Sequence, residues 1–273
     1  HNKLFFFGAY DPGREVRTLQ APEGFPLLSM GDVDQVRHTN TYSAKGTWQL
    51  SGAHRIDASF FGDPSTGDNG PQRLRALLGQ DTAGFSSLDY GGHNQNVSYN
   101  GALNTHWLLE GGYAHALNRI METPSVDTWR VTDVTVTPNI RTRGIGFYEA
   151  ANRSDNNQFS AKSTNFVGEH QIKSGFEYDD VTYSDVNQRT GPSFVAADGR
   201  TAATGAEISV LPDVSFGKIY SVTRANFNAG RTSTQQYFDF FVQDEWKVGT
   251  RLTVNPGLRY EQETLSGTLV SGF

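Results

Sequence analysis

The sequence predicts an all-β fold: an antiparallel up-and-down sheet forming part of a transmembrane β-barrel, with short turns at one end and long loops at the other. Three observations lead there. Apolar and polar residues alternate over long stretches. Very short connections alternate with very long ones. Three of the four tryptophans, Trp48, Trp107 and Trp246, stand within a few residues of short turns.

The alternation is clearest over Gln235–Glu261. Phe238, Phe240, Val242, Trp246 and Val248 share one face, against Asp239, Gln243, Glu245 and Lys247 on the other. After a turn at Val248-Gly249-Thr250, the apolar face resumes with Leu252, Val254, Pro256, Leu258 and Tyr260. Arg251, Thr253, Asn255, Gly257, Arg259 and Glu261 point the other way. Successive side chains of a strand leave it on opposite sides, so each strand has an apolar and a polar surface. Asp244 on the apolar side and Phe241 on the polar side break the pattern. Alternation alone fits a soluble sheet as well as a membrane barrel, which is apolar outside and polar within.

The other elements follow in chain order. Lys3–Tyr10 is a strand apolar on both faces, ending at the turn signal Asp11-Pro12-Gly13. Arg37–Ser51 and His54–Asp63 alternate around a tight turn near residue 52. Within the following connection, Pro71–Leu78 has the pattern of two helical turns. His93–Leu103 and Trp107–Ala116 flank a turn near residue 105, and Asn157–Val167 and Gln171–Tyr183 flank one near 169. Strand-like stretches at Trp129–Thr137, Glu207–Leu211 and Lys218–Phe227 lie inside long connections, the first of them as a hairpin standing off the main sheet. The long connections are 11–36, 62–92, 117–156 and 184–231. Short turns then all fall at one end and long loops at the other, which is the layout of short periplasmic turns and long extracellular loops. Strands of about ten residues exceed the ~5–6 usual in soluble sheets. Tryptophans at one depth form an interfacial girdle, and Tyr260 joins Trp48, Trp107 and Trp246 as a candidate for it.

Composition narrows the function classes. Hydrophobic residues are 36% of 273, aromatics 12%, and there are 29 glycines. Mean hydropathy is −0.51. No apolar run reaches the ~20 residues of a spanning helix, which says nothing against a barrel. With no cysteine, disulfide scaffolds, thiolate metal sites and cysteine nucleophiles are excluded. The net charge of −6 gives no basic nucleic-acid surface. The seven histidines show no metal-ligand spacing, and His54 and His170 read as solvated turn residues. No nucleophile elbow or phosphate loop occurs, so neither an enzyme nor a cofactor is expected. The paired carboxylates, such as Asp179-Asp180, read as the lining of a wet interior.

KLFFFGAYD near the start and YFDFFVQDEWKVGTRLTVNPGLRYE near the end resemble barrel segments of TonB-dependent outer-membrane receptors, most of all their Oar-like branch. The resemblance implies a barrel of about 22 strands around an N-terminal plug domain, with a TonB box. About nine strands can be counted here, with no plug or TonB box, so residues 1–273 are expected to be part of one barrel domain from a longer protein. The implied partners are outer-membrane lipid, the plug of the same protein, the TonB complex and an unknown bulky ligand. Glu245, Lys247, Arg251, Arg259 and Glu261 would then face the lumen, where some would pair with the plug. A passive porin or adhesin-type barrel, or a soluble carbohydrate-binding β protein, are the alternative readings.

Overall fold

Phe, Tyr, Val, Ile and Thr favour the pleated, half-covered surface of a strand, and the chain uses them so throughout. The computed structural model describes residues 3–24, 28, 30–72, 85–128, 130–133, 140–191, 208–211, 220–223 and 228–269. In order the strands are β1 (Leu4–Leu19), β2 (Val33–Gln49), β3 (His54–Gly62), β4 (Ser65–Asp68), β5 (Ser86–Asn104), β6 (Trp107–Pro124), β7 (Arg130–Asp133) and β8 (Ile140–Arg143). They continue with β9 (Phe147–Glu149), β10 (Asn152–Val167), β11 (His170–Arg189), β12 (Ile208–Leu211), β13 (Tyr220–Thr223), β14 (Asn228–Val248), β15 (Leu252–Val254) and β16 (Gly257–Leu269). No α-helix occurs among the described residues.

Twelve strands form one antiparallel sheet, and β7, β8, β12 and β13 form a second. Register shows that several of the twelve are halves of longer strands. β3 and β4 hold one register against β2 (Gly62 opposite Tyr42, Ser65 opposite Thr39). The break falls at Asp63-Pro64, where proline offers no N–H. β15 and β16 likewise continue one ladder with β14 across Asn255-Pro256. β9 and β10 join through a bulge, since Ala150 and Ala151 both donate to the Val186 carbonyl, at 2.8 and 3.2 Å. The wall is therefore nine long strands in chain order, the number the alternation predicts.

The hairpin turns at one end are residues 50–53, 105–106, 168–169 and 249–251. Gly168 (φ 60°) and Gly249 (φ 68°) take the left-handed conformation that favours glycine. The last turn is Gly249-Thr250-Arg251, because Val248 still pairs with Leu252. Arg251 therefore sits in the turn and not on the polar face of the following strand, where its place in the alternation had put it. The long connections are shorter than the pattern predicts: 20–32, 69–85, 125–146 and 190–227. Beyond the apolar band both faces of a strand are polar, so the alternation stops while the ladder continues. The expected turn at Asp11-Pro12-Gly13 is strand, with Pro12 opposite Asn40. Among the described residues β1 has a neighbour on one side only, where proline is tolerated. The helical pattern at Pro71–Leu78 falls mostly outside the described residues.

The strands are staggered. The pair nearest the first turn, Gln49–Arg55, extends across the sheet through Asn100, Glu110, Lys162 and Gly175 to Phe241 on β14. The last turn closes at Val248, seven residues further on, across six strand spacings. With the turns in one plane, at about 3.3 Å per residue and about 4.8 Å between strands, this slip tilts the strands by about 39°. Barrel strands tilt by about 35–45°. The stagger is the geometry that closure requires, and it is written into the hydrogen-bond register.

The second sheet has the order β12-β13-β7-β8 and is built from two different long loops, joined where Val131 lies opposite Val222. Arg130–Asp133 and Ile140–Arg143 form the hairpin expected near Trp129–Thr137, and β12 and β13 fall within the other two predicted stretches.

Candidate functional site

One face of the wall is apolar and exposed. It carries Phe6, Trp48, Val97, Phe159, Phe176, Phe240, Val242 and Leu258, of which Leu258 is 70% exposed and Phe6 88%. From Val248 to Phe238 this band covers ten residue steps, about 33 Å along a strand. At a tilt of about 39° its height is about 26 Å, close to the ~25 Å apolar band of outer-membrane barrels.

Polar tips tie the aromatic side chains of this face to neighbouring strands. Tyr42 Oη lies 2.7 Å from His93 Nδ1, and Tyr99 Oη lies 2.7 Å from His54 Nδ1. Tyr113 donates to Asn157 at 3.0 Å, and Trp107 Nε1 to Ser163 at 2.8 Å. His170 stacks on Trp246 with centroids 5.4 Å apart and bonds Asp244 at 2.6 Å. His54 and His170 are thus bonded between strands, and the reading of them as solvated turn residues is corrected. Asp244, which breaks the apolar pattern, is the partner that His170 requires. Tyr42 lies over Gly62 and Tyr99 over Gly101, so each ring fills the space that a glycine leaves open.

The opposite face is polar and carries an open pocket of about 450 Å³. Glu245, Lys247, Arg259 and Glu261 lie on this face by register. Arg259 pairs with Asp239, which is 3% exposed, and with Glu261 at 2.6 Å. Lys162 pairs with Glu110 at 3.1 Å, and Arg55 with Asp57 at 2.7 Å. Gln158 donates to Glu177 at 2.6 Å. Phe241, the other pattern breaker, covers Gly175 on the neighbouring strand. Among the described residues no His, Asp and Glu side chains gather as metal ligands.

At the loop end the polypeptide is pinned. Gly146 N donates to Thr190 Oγ1 at 3.0 Å, Thr190 N returns a bond to the Gly146 carbonyl at 2.9 Å, and Gly191 N donates to Asp127 at 2.7 Å. Thr190 is 1% exposed. Burial, and then the Asp127 carboxylate, push the Tyr148 phenol up.

These features meet in a known pattern. Residues 27–267 match the outer membrane beta barrel domain family. The chain belongs to that family. As an outer membrane barrel it resides in the bacterial outer membrane, with its short turns periplasmic and its long loops extracellular. Solved structures of outer membrane transporters resemble it, two of which follow. The outer membrane transporter YddB from Escherichia coli is 14% identical, with a TM-score of 0.49, over 94% of this chain and 32% of that one. The ferric citrate transporter FecA in its unliganded form is 11% identical, with a TM-score of 0.45, over 96% and 36%. The chain spans about a third of the length of each. A comparison with curated proteins found no match.

Within the barrel, Trp48, Trp107 and Trp246 stand beside three different periplasmic turns and are 49%, 41% and 42% exposed. Tyr260 stands apart from them, opposite Phe240 and six residues beyond the Trp246 row, with its hydroxyl donating to Gln262 at 3.0 Å. Trp246→Ala removes an aromatic stack worth about 0.5–1.5 kcal/mol beyond its area. The expected result is a lower unfolding midpoint for the full-length protein in bilayers, with the Asp244–His170 pair left intact. An unchanged midpoint would show that the stack contributes nothing. The inter-strand bonds of the histidines were out of reach of the sequence, because they depend on register.

Proposed function

We propose that this chain is barrel wall of a TonB-dependent outer-membrane transporter that imports a bulky ligand. The apolar face meets lipid, with Trp48, Trp107, Trp246 and Tyr260 at its interfaces. Glu245, Lys247, Arg259 and Glu261 face a lumen that a plug domain fills. Arg251, in its turn, lies at the periplasmic rim.

One observation carries the reading over a passive, water-filled pore. Phe5, Phe7 and Phe61 lie on the polar, inward side with Thr47, Lys45 and Ser43 and are 53%, 59% and 47% exposed. Water has no favourable contact to offer such a group, whereas a folded domain seated in the lumen covers it. Ligand capture belongs to the extracellular loops, since binding residues concentrate on loops held by a rigid scaffold. TonB then draws on the inner-membrane proton gradient to remodel the plug.

The test is uptake by cells producing the full-length protein, with and without TonB. Accumulation that needs TonB supports the reading, and equal accumulation in both strains selects the passive pore. Arg259→Glu sets a third carboxylate beside Asp239 and Glu261. It is expected to loosen the plug, read as increased single-channel conductance in planar bilayers. Conductance equal to wild type would remove Arg259 from plug docking.

A further inference from the structure

A second pocket, of about 430 Å³, opens on the inward face where β11, β14 and β16 run beyond the apolar band. Register builds it. Tyr183, Ser233 and Gly267 stand in one row, with Val181, Gln235 and Leu265 in the row below. Ser233 and Gly267 are small, so they form a floor between larger neighbours. Arg231, in the row above and opposite Asp185, borders the upper side.

Its height separates it from the seat of the plug. Val181 is eleven residues past His170, and Arg231 is seventeen before Val248. At about 3.3 Å per residue and a tilt of about 39°, they stand about 28 and 44 Å above the turns, past the ~26 Å of the apolar band. On the same scale the inward rings of Phe5, Phe7 and Phe61 stand at about 5–18 Å. Side chains stand perpendicular to a sheet, so a further strand beside β16 would flank this face without covering it.

Two properties define what the pocket takes. Tyr183 and Leu265 are 41% and 71% exposed, and with Val181 they make it apolar. Arg231 is exposed, and it is the single charged side chain among the described residues that line the pocket. It forms no ion pair among the described residues. Asp185 and Glu263, on the bordering rows, lie outside the lining and are hydrogen-bonded by Asn187 at 2.8 Å and by Gln235 at 2.7 Å. A guanidinium with open donors matches a carboxylate, which it grips through two parallel hydrogen bonds. An apolar body that ends in a carboxylate satisfies both properties, and the volume falls in the range of small-molecule sites.

We infer that this pocket binds an apolar group ending in a carboxylate, as the recognised part of the transported ligand. The inference rests on the transport reading and names the chemistry of its ligand. The carboxylate takes the Arg231 guanidinium, and the apolar body lies on Ser233 and Gly267 between Tyr183 and Leu265.

Full-length protein in lipid nanodiscs is titrated calorimetrically with indole-3-acetate and 4-phenylbutyrate. Indole-3-acetamide, tryptamine and acetate serve as the uncharged, the cationic and the body-less counterparts. Binding of at least one of the two aryl carboxylates is expected, with the amide weaker by about tenfold or more, the range of a lost charge-assisted hydrogen bond. Tryptamine and acetate should not bind. Arg231→Gln should weaken carboxylate binding by the same factor, and Ser233→Phe, which fills the floor, should abolish it. Arg231 is exposed, so its variant keeps the test decisive if Ser233→Phe does not fold, as judged by heat-modifiable migration. Absence of carboxylate binding by the folded wild type overturns the inference. So does equal binding of any counterpart, or wild-type binding by folded Arg231→Gln. Carboxylate binding with TonB-independent uptake would leave the pocket standing and remove the TonB reading. TonB-dependent uptake without carboxylate binding would do the reverse.

Discussion

Val242→Arg should destabilise the full-length protein in bilayers by about 2–4 kcal/mol, the cost of an arginine at the membrane midplane of a barrel. Val242 lies on the apolar face midway between Trp246 and Phe238, opposite Ser174 and Leu258, and is 37% exposed. Asp244, two residues along on the same face, is already engaged by His170 at 2.6 Å. Gln243→Arg, one residue on, should cost far less, because that side chain enters the polar interior. Reversible denaturant unfolding in lipid vesicles measures both. A larger cost for Gln243→Arg than for Val242→Arg would mean that the two faces have been assigned the wrong way round, so this pair of variants tests the orientation of the whole wall.

The second large effect is expected at Gly62. A Cβ there would fall inside the contact distance of the Gly92 carbonyl oxygen and 2.6 Å from Tyr42 Oη. The ring could swing away, but the carbonyl belongs to the next strand's backbone. Gly62→Ala should therefore cost about 1–3 kcal/mol, as overpacking does, and should release the Tyr42–His93 bond. Gly46→Ala on the same face meets nothing within 4 Å and should be close to neutral or stabilising. The same unfolding measurement separates them, and similar costs for both would show that the ladder between β3 and β5 yields freely.

Much of this architecture was readable because a membrane wall imposes a period of two on every strand that crosses it. Gln235–Glu261 displays that period, and the four short turns could be placed near their observed positions. The strand ends could not be placed, because Ser86–Gly92 and Ser184–Arg189 lie beyond the apolar band, where nothing forces alternation. The stagger was also hidden. It exists only in which residue faces which, as when Arg55 reaches Phe241 through four intervening strands. The two pattern breakers show the same limit. Asp244 and Phe241 are anomalies along their own strand, and each is explained by a residue on β11, His170 and Gly175. Arg251 was misplaced for a simpler reason: its turn needs three residues, and alternation cannot count residues in a turn.

The small sheet of β12, β13, β7 and β8 has a consequence for the surface that the cell shows to its surroundings. Its two halves come from loops separated by a whole hairpin of the wall, yet they share one ladder through β7 and β13. An insertion in either loop that shifts its strand by one residue would carry that strand's side chains to the other face of the shared sheet. Exposed loops are where sequence varies most among related proteins. Here a variant in one loop is constrained by the other, and the two are expected to diversify together, as a single evolving surface.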